Sequence, residues 1–388
     1  MTHRFNHGRK YSGFTVIELI VAVSVTALLS GLLLLISSQV LNTQTKSSSE
    51  LETNEIAQFV LDKIQEDLQC AVYRNDGNVW MAMSIIRDED HSGSWEKVKV
   101  SGNKKDQVDS FRIVESDWSN NGASLNDSQI DALGQGPFEM SRFGVGGTWL
   151  RFFSQSPEPD VDFKNNGAVR AISYQIIRRG ITSAPKSKKR YQLFRTDVSA
   201  KNTFEAGYNL HPDQDVVPTA YNRGTTPANL TPPRLPDRLI DPIIPEGSQY
   251  PATSFSLAAN IIDFGVRAYV LERNSSGTGN LVQIFPAIHI DAPGTIMNEG
   301  KDFLATSFPR YRTLVTEYES WENIHQFHAF PDVVDLMIRV LSSEGARLLE
   351  AFEEIPNLSS SDTLSWWSIA EEHSKVYIRR VKIYGQGL

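Results

Sequence analysis

Residues 14–36 read FTVIELIVAVSVTALLSGLLLLI, a run of 23 in which Glu18 is the one ionisable side chain. As an α-helix the run is roughly 35 Å long, against a hydrocarbon core of about 30 Å. Arg4, Arg9 and Lys10 precede it and no acid does, while the next basic residue is Lys46. The positive-inside rule then leaves the N-terminus in the cytoplasm and sends everything after residue 36 across the membrane.

Three readings compete for this segment. A cleaved signal peptide has an apolar run of about 7–15 residues and a small-x-small site after it. Here Ser30-Gly31 is followed by more leucines. A plain signal anchor fits the length but leaves Glu18 without a reason. A carboxylate in a membrane helix costs about 2.5–3.5 kcal/mol even on the lenient insertion scale, so it is read as functional.

The third reading accounts for the leader as well. Lys10-Tyr11-Ser12-Gly13 followed by Phe14-Thr15-Val16-Ile17-Glu18-Leu19 resembles the leader junction of type IV prepilins and type II secretion pseudopilins. The resemblance implies a membrane-embedded prepilin peptidase that cuts between Gly13 and Phe14 and methylates the new amine. Glu18 becomes the fifth residue of the mature chain. Gly13 suits such a site because a residue without a side chain lets a protease approach the backbone closely. The resemblance also implies that Glu18 pairs with the Phe14 amine of a neighbouring subunit, which relieves the desolvation of both charges. Implied partners are the prepilin peptidase, other major and minor pseudopilins and an inner-membrane assembly platform. The expected location is the inner membrane, crossed once, with a periplasmic globular domain.

The expected domains are a leader (1–13), a transmembrane half-helix (14–36), an amphipathic half-helix (37–74) and a β-rich globular domain (75–388). Ile56, Phe59, Val60, Ile64, Leu68, Ala71 and Val72 recur at helical spacing and predict one buried stripe. Cys70 falls on the buried side of that turn.

Beyond Arg74, short runs of β-branched and aromatic residues alternate with Gly, Asn, Asp and Pro, and predict strands. They are 79–86, 110–114, 148–154, 169–177, 190–196, 261–271, 282–290, 333–341 and 376–384. A helix is predicted over 343–353, capped by Ser342 or Ser343, with Pro356 beyond its end. Residues 212–253 are proline-rich and read as an irregular insertion. The expected fold class is α+β, a long N-terminal helix packed on a large, mainly antiparallel β domain, as in pilins. Whether that domain forms one sheet or two stays open.

Three further segments, 191–195 (YQLFR), 262–269 (IDFGVRAY) and 331–338 (PDVVDLMI), resemble J-class minor pseudopilins and PilW-like proteins. The last of them, with Arg379-Arg380-Val381, also resembles the Verru_Chthon cassette protein C group.

A net charge of −8 argues against a nucleic-acid partner. A single cysteine rules out an internal disulfide. Asp88, Asp90 and Ser92 alternate as in an EF-hand loop with Gly93 sixth, but the twelfth position is Lys99 rather than Glu. A solvated turn is expected there, with calcium binding as the alternative; no other cofactor is expected. Glu158, Asp160 and Asp162 read in the same way.

His325 and His328 read as a surface pair, Gly144, Gly146 and Gly147 as a turn, and 186–190 as a solvated hairpin tip. Trp366-Trp367 reads as part of a strand, one ring in the core and one out. No catalytic signature is present, and a non-enzymatic assembly subunit is expected. The rival is an anchored binding module or enzyme that borrows the prepilin route.

Overall fold

The computed structural model describes residues 15–74, 78–85, 136–143, 147–155, 169–180, 189–210, 255–273, 279–286, 302–306, 327–353, 366–384 and 386–387. The chain divides into two compact units, one ending at Glu52 and the other beginning at Thr53. Helix α1 (Val16–Gln69) contributes to both.

In the first unit α1 is apolar on every side between Val16 and Ile36, and Val16, Leu28 and Leu34 are each more than 70% exposed. Three hydroxyls along α1 are satisfied within the helix. Ser24 donates to the Ile20 carbonyl (2.8 Å), Thr26 to Ala22 (2.7 Å) and Ser38 to Leu35 (2.8 Å). A helix that closes its own polar groups this way is compatible with hydrocarbon.

The second unit is built on two larger sheets. Its early strands are β1 (Val72–Tyr73), β2 (Val79–Ile85), β3 (Thr148–Gln155), β4 (Val169–Gly180) and β5 (Lys189–Val198). Next come β6 (Ser256–Ala259), β7 (Ile261–Arg273), β8 (Gly279–Phe285), β9 (Asp302–Thr306) and β10 (Phe327–Ala329). The last are β11 (Val333–Leu341), β12 (Ser374–Lys382) and β13 (Gln386–Gly387).

Seven strands form one sheet in the order β10-β9-β2-β3-β4-β5-β6, and four form another in the order β12-β11-β7-β8. Pairing is antiparallel except between β9 and β10, and between β1 and β13 in a separate two-stranded pair. The fold class is therefore α+β, a long apolar helix followed in the chain by antiparallel sheets, and consistent with a pilin-like fold.

Alternation on the strands explains the layers. Met81, Met83, Leu150, Phe152, Ile172, Tyr174 and Leu193 face the main core. There they meet Val60, Ile64 and Leu68 of α1 and the inward residues of β7 and β11. The opposite face of the seven-stranded sheet carries Trp80, Ala82, Phe153 and Ala171, which form a smaller apolar cluster. Helix α2 (Ala200–Ala206) is tied to that face: Thr203 Oγ accepts the Ala171 N–H and donates to the Val198 carbonyl. Helix α3 (Ser343–Glu353) starts where Ser342 Oγ accepts the Gly345 N–H, and it buries Ala346, Leu349 and Phe352.

Two expectations need correction. Phe59 is 56% exposed; at 100° per residue it lies opposite the stripe, which Ala57 and Leu61 complete instead. Trp366 and Trp367 lie in a helix, α4 (Trp366–Glu372), and both are buried. Helical geometry turns the two rings to different neighbours. Trp366 meets the Tyr191 ring at 5.8 Å, while the guanidinium of Arg142 lies over Trp367 at 5.1 Å. Strands 110–114 and the calcium, proline-rich and basic segments (88–92, 158–162, 212–253, 186–188) fall outside the described residues.

The four-stranded sheet has charges on its second face. Asp263 and Arg267 of β7 stand opposite Arg339 and Asp335 of β11, and Asp335 takes a bidentate hydrogen bond from Arg380 of β12 (2.7 and 2.7 Å). Residues 136–143 form a strap over this face. Arg267 donates to the Gly136 carbonyl and to Ser141 Oγ, both at 3.1 Å, and lies over the Phe138 ring. The Phe143 N–H donates to both carboxylate oxygens of Asp263. Gly265 leaves room for the strap: a Cβ there would meet the Phe143 ring at 2.4 Å.

Asp263 is wholly buried, and Arg339 is 4.0 Å away, too far for a hydrogen bond. Burial pushes its pKa up to about 7, against the pull of Arg339 and of the Phe143 and Phe264 amides. The folded chain thus holds this proton up to about pH 7, and the unfolded chain only to about pH 4. The contribution to stability is complete below about pH 4 and is lost as pH rises to about 7. Asp263→Asn keeps an acceptor for Phe143 and should flatten that slope, leaving the variant more stable than wild type at about pH 8. Urea unfolding of the detergent-solubilised chain at several pH values checks this; parallel curves would show that Asp263 is ionised in the fold.

Candidate functional site

The first functional segment is the start of α1. Thr15 is its N-cap and Glu18 occupies the third helical position. Thr15 Oγ accepts the Glu18 N–H (3.3 Å), and the Glu18 carboxylate accepts the Thr15 N–H (2.9 Å) and hydroxyl (3.0 Å). This reciprocal pair is a capping box, and it satisfies two of the amides that a helix start leaves orphaned. The negative charge also stands at the positive end of the helix dipole. Sequence reasoning singled out Glu18 for its charge and missed this second role, although Thr-x-x-Glu before an apolar run is its signature. Gly13 and Phe14, the expected cleavage pair, lie outside the described residues.

The second segment is where α1 ends in the β domain. Asp67 is 2% exposed. It accepts a fork from Arg195 of β5, Nε to Oδ2 at 2.7 Å and Nη2 to Oδ1 at 3.1 Å, and a short hydrogen bond from the Tyr174 hydroxyl of β4. Its backbone carbonyl accepts Ser154 Oγ of β3 at 2.8 Å. Arg195 continues to Asp197 (3.0 Å), which also meets Arg170 (3.3 Å). Burial raises the Tyr174 pKa well above its ordinary range, and the Asp67 charge adds to the rise.

One side of α1 is held by the other sheet. Arg379 of β12 pairs with Asp62 and reaches Gln65 at 3.3 Å, and the Tyr377 hydroxyl donates to Thr53 Oγ at 3.2 Å. The sequence named Arg195 and Arg379 only as parts of resembling segments. An acid inside the Ile64–Leu68–Ala71 stripe was the signal that something buried must meet it.

The remaining candidates do not converge. Cys70 is half-buried, and burial raises its thiol pKa, with Asp67 and Glu66 adding to it. His328 lies in β10, and His325, Asp88, Asp90 and Ser92 lie outside the described residues. Gly147 has φ +58 and presses on β7, where a Cβ would meet the Phe264 carbonyl at 2.8 Å, so its role is close packing. Among the described residues no three of His, Cys, Asp and Glu come together as a metal site needs.

Asp67→Ala would strand a buried guanidinium and a buried phenol. A loss of about 3–5 kcal/mol is expected from removing one partner of such a buried charge pair. Chemical denaturation of the detergent-solubilised chain reads it, and a change below about 1 kcal/mol would show the network to be dispensable.

Residues 8–34 match the family described as the prokaryotic N-terminal methylation motif. No curated protein and no solved structure matches the chain. The matched segment holds Arg9 and Lys10 of the leader, Gly13, Phe14, Glu18 and most of the apolar run. It marks a type IV pilin-like protein that prepilin peptidase processes and that assembles with other pilins.

Proposed function

We propose that this type IV pilin-like chain is a minor pseudopilin, a non-enzymatic structural subunit of a type II secretion or type IV pilus-like machine. It stands nearest the J-class and PilW-like proteins in this reading, with the Verru_Chthon cassette protein C group as the further relative. The observation that carries the proposal is the methylation motif with Glu18 as the sole ionisable group of the apolar run. Prepilin peptidase cuts between Gly13 and Phe14. The mature helix stays in the inner membrane with its N-terminus on the cytoplasmic side, and the β domain is periplasmic. Assembly brings the Glu18 carboxylate to the Phe14 amine of a neighbouring major or minor pseudopilin on the inner-membrane platform. The work is mechanical and needs no cofactor.

The capping box sharpens the test. Glu18→Ala removes both the charge and the cap, whereas Glu18→Gln removes the charge and keeps a cap acceptor. Both variants should be cut to begin at Phe14 and should stay in the membrane, since removing a buried carboxylate favours insertion by about 2.5–3.5 kcal/mol. Both should fail to crosslink to neighbouring pilin-like subunits. If Glu18→Gln crosslinks like wild type, the carboxylate acts only as a cap and the chain is an anchored module. A mature terminus after residue 30 would mean an ordinary signal peptide.

A further inference from the structure

Asn260 stands at the corner where the chain leaves β6 of the seven-stranded sheet and enters β7 of the four-stranded one. Its backbone serves both sheets. The N–H donates to the Tyr191 carbonyl of β5 and the carbonyl accepts the Leu341 N–H of β11, each at 2.8 Å. Its φ of +63 is left-handed, a conformation that asparagine adopts more readily than most residues. The side chain is left over. Asn260 is 8% exposed, and its Oδ1 has no hydrogen-bond partner among the described residues.

Beside it is a small cavity of which α3 forms one wall. Ile262, Ala346 and Leu349 line it with apolar surface, while Asn260, Arg190 of β5 and Glu350 of α3 bring polar groups to it. The Nε of Arg190 is also buried without a hydrogen-bond partner among the described residues. Glu350 is 6% exposed. A carboxylate has about four acceptor positions, so the contacts it makes elsewhere leave one for the cavity. The cavity offers about 10 Å³ to the centre of a water molecule, which is room for one.

We infer that one ordered water binds in this cavity and pins α3 to the corner between the two sheets. It donates to Asn260 Oδ1 and to the Glu350 carboxylate, and it accepts the Arg190 Nε–H. Three such bonds are the usual number for a buried water.

The chemistry of the walls selects water over an ion. Two acceptors and one donor line the same small space, and water has both functions. A cation would meet the Arg190 guanidinium and an anion the Glu350 carboxylate, like charges at close range away from bulk solvent. An apolar group would leave Asn260 Oδ1 and Arg190 Nε unsatisfied. The corner residue fits the same role. Glycine would take the left-handed φ as readily, but it would bring no acceptor to the water. The site does not depend on the anchoring or assembly of the chain.

The test uses the full chain, solubilised in detergent and crystallised to a resolution that shows waters. One peak is expected within about 3.2 Å of both Asn260 Oδ1 and Arg190 Nε. In Asn260→Gly crystals that peak should vanish while the corner backbone keeps its two hydrogen bonds. A dry cavity, or a peak that survives Asn260→Gly, would overturn the site. So would an anomalous signal in the cavity from crystals soaked in rubidium or bromide, which would place an ion there. Urea unfolding gives an independent reading. Arg190→Met keeps the apolar stem and removes the donor. With the water in place the midpoint should fall by roughly 0.5 M, because a charge-assisted hydrogen bond is lost. Without it the variant loses only an unsatisfied group, so a midpoint that holds or rises would overturn the pin.

Discussion

A buried carboxylate at the end of a helix is the constraint on which the second unit depends. Asp67 has the Arg195 fork on one side, the Tyr174 hydroxyl on another and Ser154 on its carbonyl, so strands β3, β4 and β5 all close on one residue of α1. Apolar packing of Val60, Ile64 and Leu68 would hold the helix against the sheet but leave it free to slide by a turn. The network fixes the register, since a shift of about 5.4 Å would bury an unpaired guanidinium.

The same helix serves two solvents, and its sequence changes accordingly. From Val16 to Ile36 it is apolar on all sides, and Ser24 and Thr26 return their hydroxyls to its own carbonyls. From Thr53 onward it narrows to one buried face, and polar residues on that face acquire specific partners. Thr53 receives the Tyr377 hydroxyl, and Asp67 receives Arg195 and Tyr174. The change in pattern is a change in what satisfies a polar atom: the helix itself in hydrocarbon, and another element in protein.

Much of this was legible beforehand. β11 and α3 follow the predicted bounds, because one is a long β-branched run and the other a capped amphipathic stretch before Pro356. The span of α1 was readable from the absence of Gly and Pro between Leu32 and Arg74. Phe59 misled because a three-residue step continues a stripe from Ile56 only when the helix face is wide enough, and here Ala57 and Leu61 complete it. The two tryptophans misled because aromatic residues favour strands, and the override came from tertiary cover on both sides of α4. β6, β10 and β1 have four residues or fewer and carry no periodicity to read. The Asp67 network was hidden for a different reason: its members are 107 and 128 positions apart, and spacing in a sequence says nothing of such pairs.

The strap over the charged sheet face has a consequence for the order of folding. Phe143 donates to Asp263 and rests on Gly265, about 120 positions later in the chain. A chain synthesised from its N-terminus has the Phe138 and Phe143 rings in place well before β7 follows. Until then Phe143 has neither Asp263 nor Gly265 to rest on, and Asp263 and Arg267 of β7 lack their cross-strand neighbours until β11 is beside it. The four-stranded sheet and its strap must therefore close late and together, in one cooperative step. The seven-stranded sheet, whose central strands β2 to β5 come earlier, can begin pairing while the rest of the chain is still being synthesised.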